Sequence, residues 1–138
     1  LFVCTVNSAR SQMAEGPARA LADSRVEVDS AGTHPAGMNP LAIASMRERG
    51  LDISAQRSKL VGELSGALDY VITLCDDAAR ECPVLPARRA RMHWVLPAPA
   101  GATGDRAARL AFFGRIRDDL EGRLREFLAQ EGLLREQP

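Results

Sequence analysis

The sequence predicts an α/β fold: a three-layer sandwich with a central four-stranded parallel sheet and helices on both faces. Three observations lead there. Short apolar runs alternate with amphipathic segments along the 138 residues, the pattern of parallel strands joined by right-handed crossovers. The first run ends in Cys4, and a compact polar loop separates it from a helical segment. Cys75 also follows a predicted strand, and in such sheets ligands lie beyond the carboxyl ends of the strands, so both thiols are expected on one rim.

The elements follow in order. Residues 1–3 form the first strand; the run starts at Leu1 without a Met, and a few residues are expected ahead of it. Residues 11–23 are helical, although Gly16-Pro17 is expected to kink or loosen the helix because Pro17 has no N–H to donate. Residues 26–28 give a second strand and 30–38 a loop. Asn39-Pro40 reads as N-cap and first position of a helix that stops at Gly50. A short helix covers 60–64, residues 69–74 are a buried strand, and 92–96 are the fourth. Just before it, Arg88-Arg89-Ala90-Arg91 is either a solvated turn or a patch that steers an anion or a partner. Residues 104–130 make a long helix whose Phe113, Ile116, Leu120, Leu124, Phe127 and Leu128 recur at helical spacing, a core stripe.

Composition excludes several classes. At 46% hydrophobic content residues 1–138 are expected to form one domain, with no apolar stretch long enough to cross a bilayer. Lys+Arg and Asp+Glu balance at 18 each, which removes the electrostatic case for nucleic acid or an acidic membrane. Three cysteines without a signal peptide are not a secreted disulfide framework, so a cytoplasmic protein with redox or catalytic thiols is expected. His34 and His93 lack metal-ligand spacing to the cysteines, and neither metal nor cofactor is expected.

The chemistry concentrates in Cys4-Thr5-Val6-Asn7-Ser8-Ala9-Arg10-Ser11, a Cys-x5-Arg-Ser loop. Five residues between a strand end and a helix start can curl so that successive N–H groups point inward, making an oxyanion site at the positive end of the helix dipole. A thiol in such a field loses its proton at neutral pH. Arg10 offers a planar fork for two anion oxygens, and Ser11 a hydroxyl to the sulfur. The competing reading is a buried structural cysteine beside a surface arginine; the flanking strand, Asn7, Ser8 and Ser11 weigh against it.

With the segment Gln12-Met13-Ala14-Glu15-Gly16, with Ser30-Ala31-Gly32, Asn39-Pro40 and Asp52-Ile53-Ser54, and with Val71-Ile72-Thr73-Leu74-Cys75, Cys82-Pro83 and His93-Trp94, the chain resembles the thioredoxin-coupled arsenate reductases built on the low-molecular-weight tyrosine phosphatase fold. The loop is common to both groups, whereas Cys75 and Cys82 resemble the reductases. The resemblance implies a relay in which Cys4 attacks arsenate, Cys75 attacks Cys4, and Cys82 resolves Cys75 for thioredoxin, with phosphate or sulfate as competing anions. Exchange of this kind needs each new thiol beside the last. If the stretch between Cys75 and Cys82 were helical, they would lie too far apart to bond, so residues 76–81 would have to unwind. The alternative is two unrelated core cysteines.

Two departures stand out. The family places an Asp before a Pro, shortly after the His-Trp pair, as general acid; here Ala98 holds that position, and a methyl group transfers no proton. Asp105 is a conceivable substitute, but it aligns with the start of the last helix. Family members also bind a monovalent cation through residues matching Asn7, Glu15 and Ser30 and an acidic side chain where this chain has Lys59, its only lysine against 17 arginines. The Lys59 ammonium is expected in the cation's place, or else as a solvated surface group. The function expected is that of an arsenate reductase; the alternatives are a low-molecular-weight phosphatase and an oxyanion-binding module impaired by Ala98.

Overall fold

Four parallel strands in the order β2-β1-β3-β4 make the sheet: β1 Phe2–Cys4, β2 Ser30–Gly32, β3 Leu68–Thr73 and β4 Ala87–His93. The computed structural model describes residues 1–64, 66–74 and 85–136, without the side chain of Ala100. Among the described residues three α-helices accompany the sheet: α1 Arg10–Leu21, α2 Pro40–Arg47 and α3 Arg106–Gln130. This is the α/β class expected, and no helix among the described residues is long and apolar enough to cross a membrane.

Side chains alternate across β1, and the two sides meet different cores. Phe2 and Cys4 join Ile72 and Leu74 against Met13, Ala14 and Ala18 of α1, Met46 of α2, and Phe113, Ile116, Leu120 and Leu124 of α3. Val3, Ala31 and Val71 face the other way, beneath Val61 and Leu64. The α3 stripe is buried as expected except at Phe127, which packs at the core's edge and stacks edge-on against Tyr70.

The helix starts follow the sequence. Asn39 Oδ1 accepts from Leu41 N at 2.8 Å and Ala42 N at 3.3 Å, with Pro40 in the first turn. Asp105 caps α3 by accepting from Ala108 N. Gly50, with φ of 76°, follows α2 in the left-handed region that glycine adopts without cost.

Four expectations are corrected. The second strand is Ser30–Gly32 and not 26–28; Ser-Ala-Gly has little strand propensity, but a Cβ on Gly32 would lie 2.7 Å from Thr5 O and 2.8 Å from Cys4 O, so only this small run fits beside β1. The fourth strand begins at Ala87 and ends at His93, so Arg88, Arg89 and Arg91 belong to an edge strand and not to a turn. There Arg88 pairs with Asp69 of β3 at 3.0 Å. α1 runs on through Pro17 to Leu21, and its Gly16 serves packing: a Cβ there would meet Ile53 Cγ2 at 2.6 Å. The element near 60–64 is a single 3-10 turn, Val61–Glu63.

Candidate active site

β1 ends at Cys4, and its neighbours in register set the rim: Gly32 of β2 lies opposite Cys4, Thr73 of β3 opposite Val3, and His93 of β4 opposite Thr73. From this rim the chain passes through residues 5–9 into α1. Ala9, at the N-cap, offers no side-chain bond, and the first turn holds no acidic residue. The positive end of α1 is thus neither capped nor neutralised by its own side chains.

The loop is pinned from outside through its carbonyls. Thr5 O accepts from His34 N at 2.7 Å, Val6 O from Ala36 N at 3.0 Å, and Ser8 O from Asn39 N at 2.9 Å; Ser58 Oγ adds a bond to Val6 O. Asn7 takes a left-handed backbone, φ 47°, which asparagine tolerates better than most residues.

Cys4 is buried, with Sγ 2.8 Å from Ser11 Oγ. Asn7 Nδ2 donates to Ser11 Oγ at 2.7 Å and to Ser30 Oγ at 3.0 Å, and Ser30 Oγ donates to Glu15 Oε1 at 2.6 Å. Lys59 closes the cluster: its N–H donates to Asn7 Oδ1 at 2.8 Å, and Nζ reaches Asp29 Oδ1 at 3.0 Å, Arg57 O at 2.9 Å and Glu15 Oε1 at 3.4 Å. At 8% exposure Lys59 is not a solvated surface lysine. The structure therefore brings together Asn7, Glu15, Ser30 and Lys59. Next to them Glu63 accepts from Leu60 N, and that bond, with Arg57, holds its carboxyl below the usual range.

Arg10 opens α1 and reaches across to Leu96 O at 3.5 Å, tying the 94–98 segment to the loop. Ala98 is exposed and precedes the 3-10 turn Pro99–Gly101. Cys75 and Cys82 lie outside the described residues. The chain is described up to Leu74, whose N–H donates to Val3 O at 2.9 Å, beside the strand that carries Cys4.

Sequence reasoning missed Gln12, Gln56, Asp29 and Gly32. Gln12 and Glu15 sit with Ser11 on the buried side of α1. Their signal was the presence of three polar residues within one turn and a half of an alanine-rich helix that the apolar pattern places in the core.

A family model described as low molecular weight phosphotyrosine protein phosphatase matches residues 1–137. An arsenate reductase of Bacillus subtilis is 45% identical over 127 residues, 91% of this chain and 91% of that protein. A solved arsenate reductase in its phosphate binding state superposes with a TM-score of 0.79 at 34% identity, covering 94% of this chain and 95% of the other. A thioredoxin-dependent arsenate reductase of Corynebacterium glutamicum gives a TM-score of 0.69 at 33% identity over 94% of this chain and 59% of its own. With the match running nearly end to end, this chain belongs to the low molecular weight phosphotyrosine protein phosphatase family.

Proposed function

We propose that this chain is an arsenate reductase that works through Cys4, Cys75 and Cys82. The observation that carries the reading is the Cys4 thiol 2.8 Å from the Ser11 hydroxyl, at the uncapped start of α1. The names and the 45% identity of the relatives support arsenate as substrate.

Arsenate sits on the N–H groups of Thr5, Val6, Asn7, Ser8, Ala9 and Arg10, with two oxygens in the Arg10 fork. The Cys4 thiolate attacks arsenic, and water leaves after protonation, giving a sulfur–arsenic(V) bond. The Cys75 thiolate then attacks the Cys4 sulfur. That bond's electron pair stays on arsenic, which departs as arsenite, and a Cys4–Cys75 disulfide remains. Cys82 attacks Cys75, frees Cys4, and leaves a Cys75–Cys82 disulfide for a dithiol reductant. We assign that role to thioredoxin, by likeness to the thioredoxin-dependent relative, and place the cycle in the reducing cytoplasm. Phosphate and sulfate compete for the loop.

Ala98 removes the proton donor that an ester's leaving group needs. General acid catalysis contributes about 10²–10⁴-fold, so the loss weighs on aryl phosphates, whose leaving oxide needs a proton, more than on arsenate, which loses water. Asp105 is committed to capping α3 through Ala108 N. Within the same reading, the Lys59 ammonium stands in for a monovalent cation behind the loop, supported by its three oxygen partners.

Arsenate-treated Cys82→Ser protein should stop after one turnover with a Cys4–Cys75 link, seen by non-reducing peptide mapping; free Cys75 would reject the relay. Cys4→Ser should turn over no arsenate at all. Restoring a carboxyl with Ala98→Asp should raise aryl phosphate hydrolysis about 10–10³-fold and arsenate reduction less. A wild type that hydrolyses aryl phosphate faster than it reduces arsenate is a phosphatase, and one that binds sulfate without turnover is a binding module.

A further inference from the structure

The Ser11 hydroxyl has one proton and two neighbours that compete to define it: Cys4 Sγ at 2.8 Å and the Asn7 side-chain amide at 2.7 Å. An amide that presents its NH₂ makes Ser11 an acceptor on that side and leaves its proton for the sulfur. The same amide turned over would present its oxygen, take the proton, and leave the sulfur facing lone pairs. The direction of one asparagine amide therefore decides whether the Cys4 thiolate is stabilised.

That direction is fixed from behind. The Lys59 backbone N–H, which can only donate, meets Asn7 Oδ1 at 2.8 Å. Gln12 Nε2 grips the same residue twice, at Oδ1 (3.0 Å) and at its backbone O (3.1 Å), holding both ends of the residue with the left-handed backbone. Gln12 is itself oriented by groups of known polarity. Its Nε2 donates to Arg57 O at 3.0 Å, and its Oε1 accepts from Gln56 Nε2 at 2.8 Å. Gln56 Nε2 also donates to Gln12 O at 3.0 Å, so its amide has one sense as well. Asn7's second proton goes to Ser30, which passes its own to Glu15. The hydrogen-bond path from Glu15 to Ser11 thus runs through Ser30 and Asn7. The bonds from Gln56 run in one sense: Gln56 donates to Gln12, Gln12 to Asn7 and Asn7 to Ser11, so that with Cys4 as the thiolate Ser11 donates to the sulfur.

We propose that Gln12 and Gln56 are positioning residues for Cys4, a two-glutamine clamp that sets the hydrogen-bond direction through Asn7 and turns the Ser11 proton onto the sulfur. The proposal rests on the reading of Cys4 as nucleophile. Gly16 completes the clamp sterically, since a Cβ there would lie 3.0 Å from Gln56 Oε1 and 2.6 Å from Ile53 Cγ2.

The test is the pH profile of iodoacetamide labelling of the Cys4-bearing peptide in the folded, reduced protein, followed by mass spectrometry. No turnover is involved, so the outcome is independent of the nucleophile assignment, which Cys4→Ser kinetics decide separately. Ser11→Ala sets the benchmark and should slow labelling on the acid side by about ten-fold, the scale of one hydrogen bond to a charged group. Gln12→Met should match it. Gln56→Glu fills the same space without donating and Gln56→Met removes the donor without adding charge; both should move the profile to higher pH by about two- to three-fold in rate. A packing role would leave the charge-free Gln56→Met profile on the wild type. Wild-type profiles in both Gln56 variants, with Ser11→Ala shifted, overturn the proposal even if Gln12→Met fails to fold.

Discussion

Among the described residues two cationic side chains are buried to the same 8% exposure, and they do different things. Lys59 lies behind the Cys4 loop and Arg117 in the seam between α2 and α3. Arg117 donates to Ser45 O at 2.7 Å and pairs with Glu48 at 3.1 Å and Asp118 at 2.9 Å, carboxylates whose side chains are about half in water. Burial pushes its guanidinium toward neutrality, and the bonds to Asp118 and Glu48 more than reverse that. Lys59 also has a half-exposed counter-ion in Asp29, at 3.0 Å, but its other partner Glu15 is itself buried, with 3% of its side chain exposed. A cation whose counter-ions stay in water can be removed cheaply. One whose counter-ion is sealed in cannot, because the anion is left behind.

The sharpest break of this comparison is Lys59→Met. It strands the Glu15 carboxylate, and unfolding stability should fall by about 3 kcal/mol, the low end for a buried pair losing one member, because Arg19 still contacts Glu15 at 2.9 Å. Denaturant melts at neutral pH measure this, and arsenate turnover should fall with it, since Glu15 braces the loop through Ser30 and Asn7. Adding Glu15→Gln to Lys59→Met should return about half of the loss; no recovery would place the cost elsewhere.

Arg117→Met is the milder change. About 1 kcal/mol is expected, mainly for the Ser45 carbonyl that loses its donor, with kcat/KM for arsenate unchanged. An equal loss in the two variants would erase the distinction drawn here.

The smallest effect is a pH slope. The bond from Arg117 holds the Asp118 carboxyl below the usual carboxylate range. A depressed folded pKa contributes stability that is complete above the unfolded value of about 3.9 and is lost as pH falls through the folded one. Asp118 is half-exposed, so the contribution is a few tenths of a kcal/mol. Acid titration of stability should be slightly shallower below about pH 4 in Arg117→Met than in the wild type.

Both regions were unequally legible in the sequence. The loop was readable because Cys4, Arg10 and Ser11 fall within one short run between a strand and a helix, and the caps Asn39 and Asp105 carry local signals that need no tertiary partner. Lys59 was placed with Asn7, Glu15 and Ser30 by resemblance, but Asp29 and Arg57 O, its nearest partners, were not foreseen. The strand Ser30–Gly32 was hidden because its fitness lies in what a side chain would strike, which no propensity encodes. Gln12 and Gln56, 44 residues apart, meet only in the fold.

The arginines of β4 have a last consequence, for behaviour in concentrated solution. Among the described residues this strand ends the sheet, so one side of its backbone is a template on which a strand from another molecule can add. Laying a neighbour there would crowd Arg88, Arg89 and Arg91, all exposed, against the incoming chain and strip water from three guanidinium groups. A row that reads in sequence as a polar turn thus disfavours strand addition at this edge of the sheet.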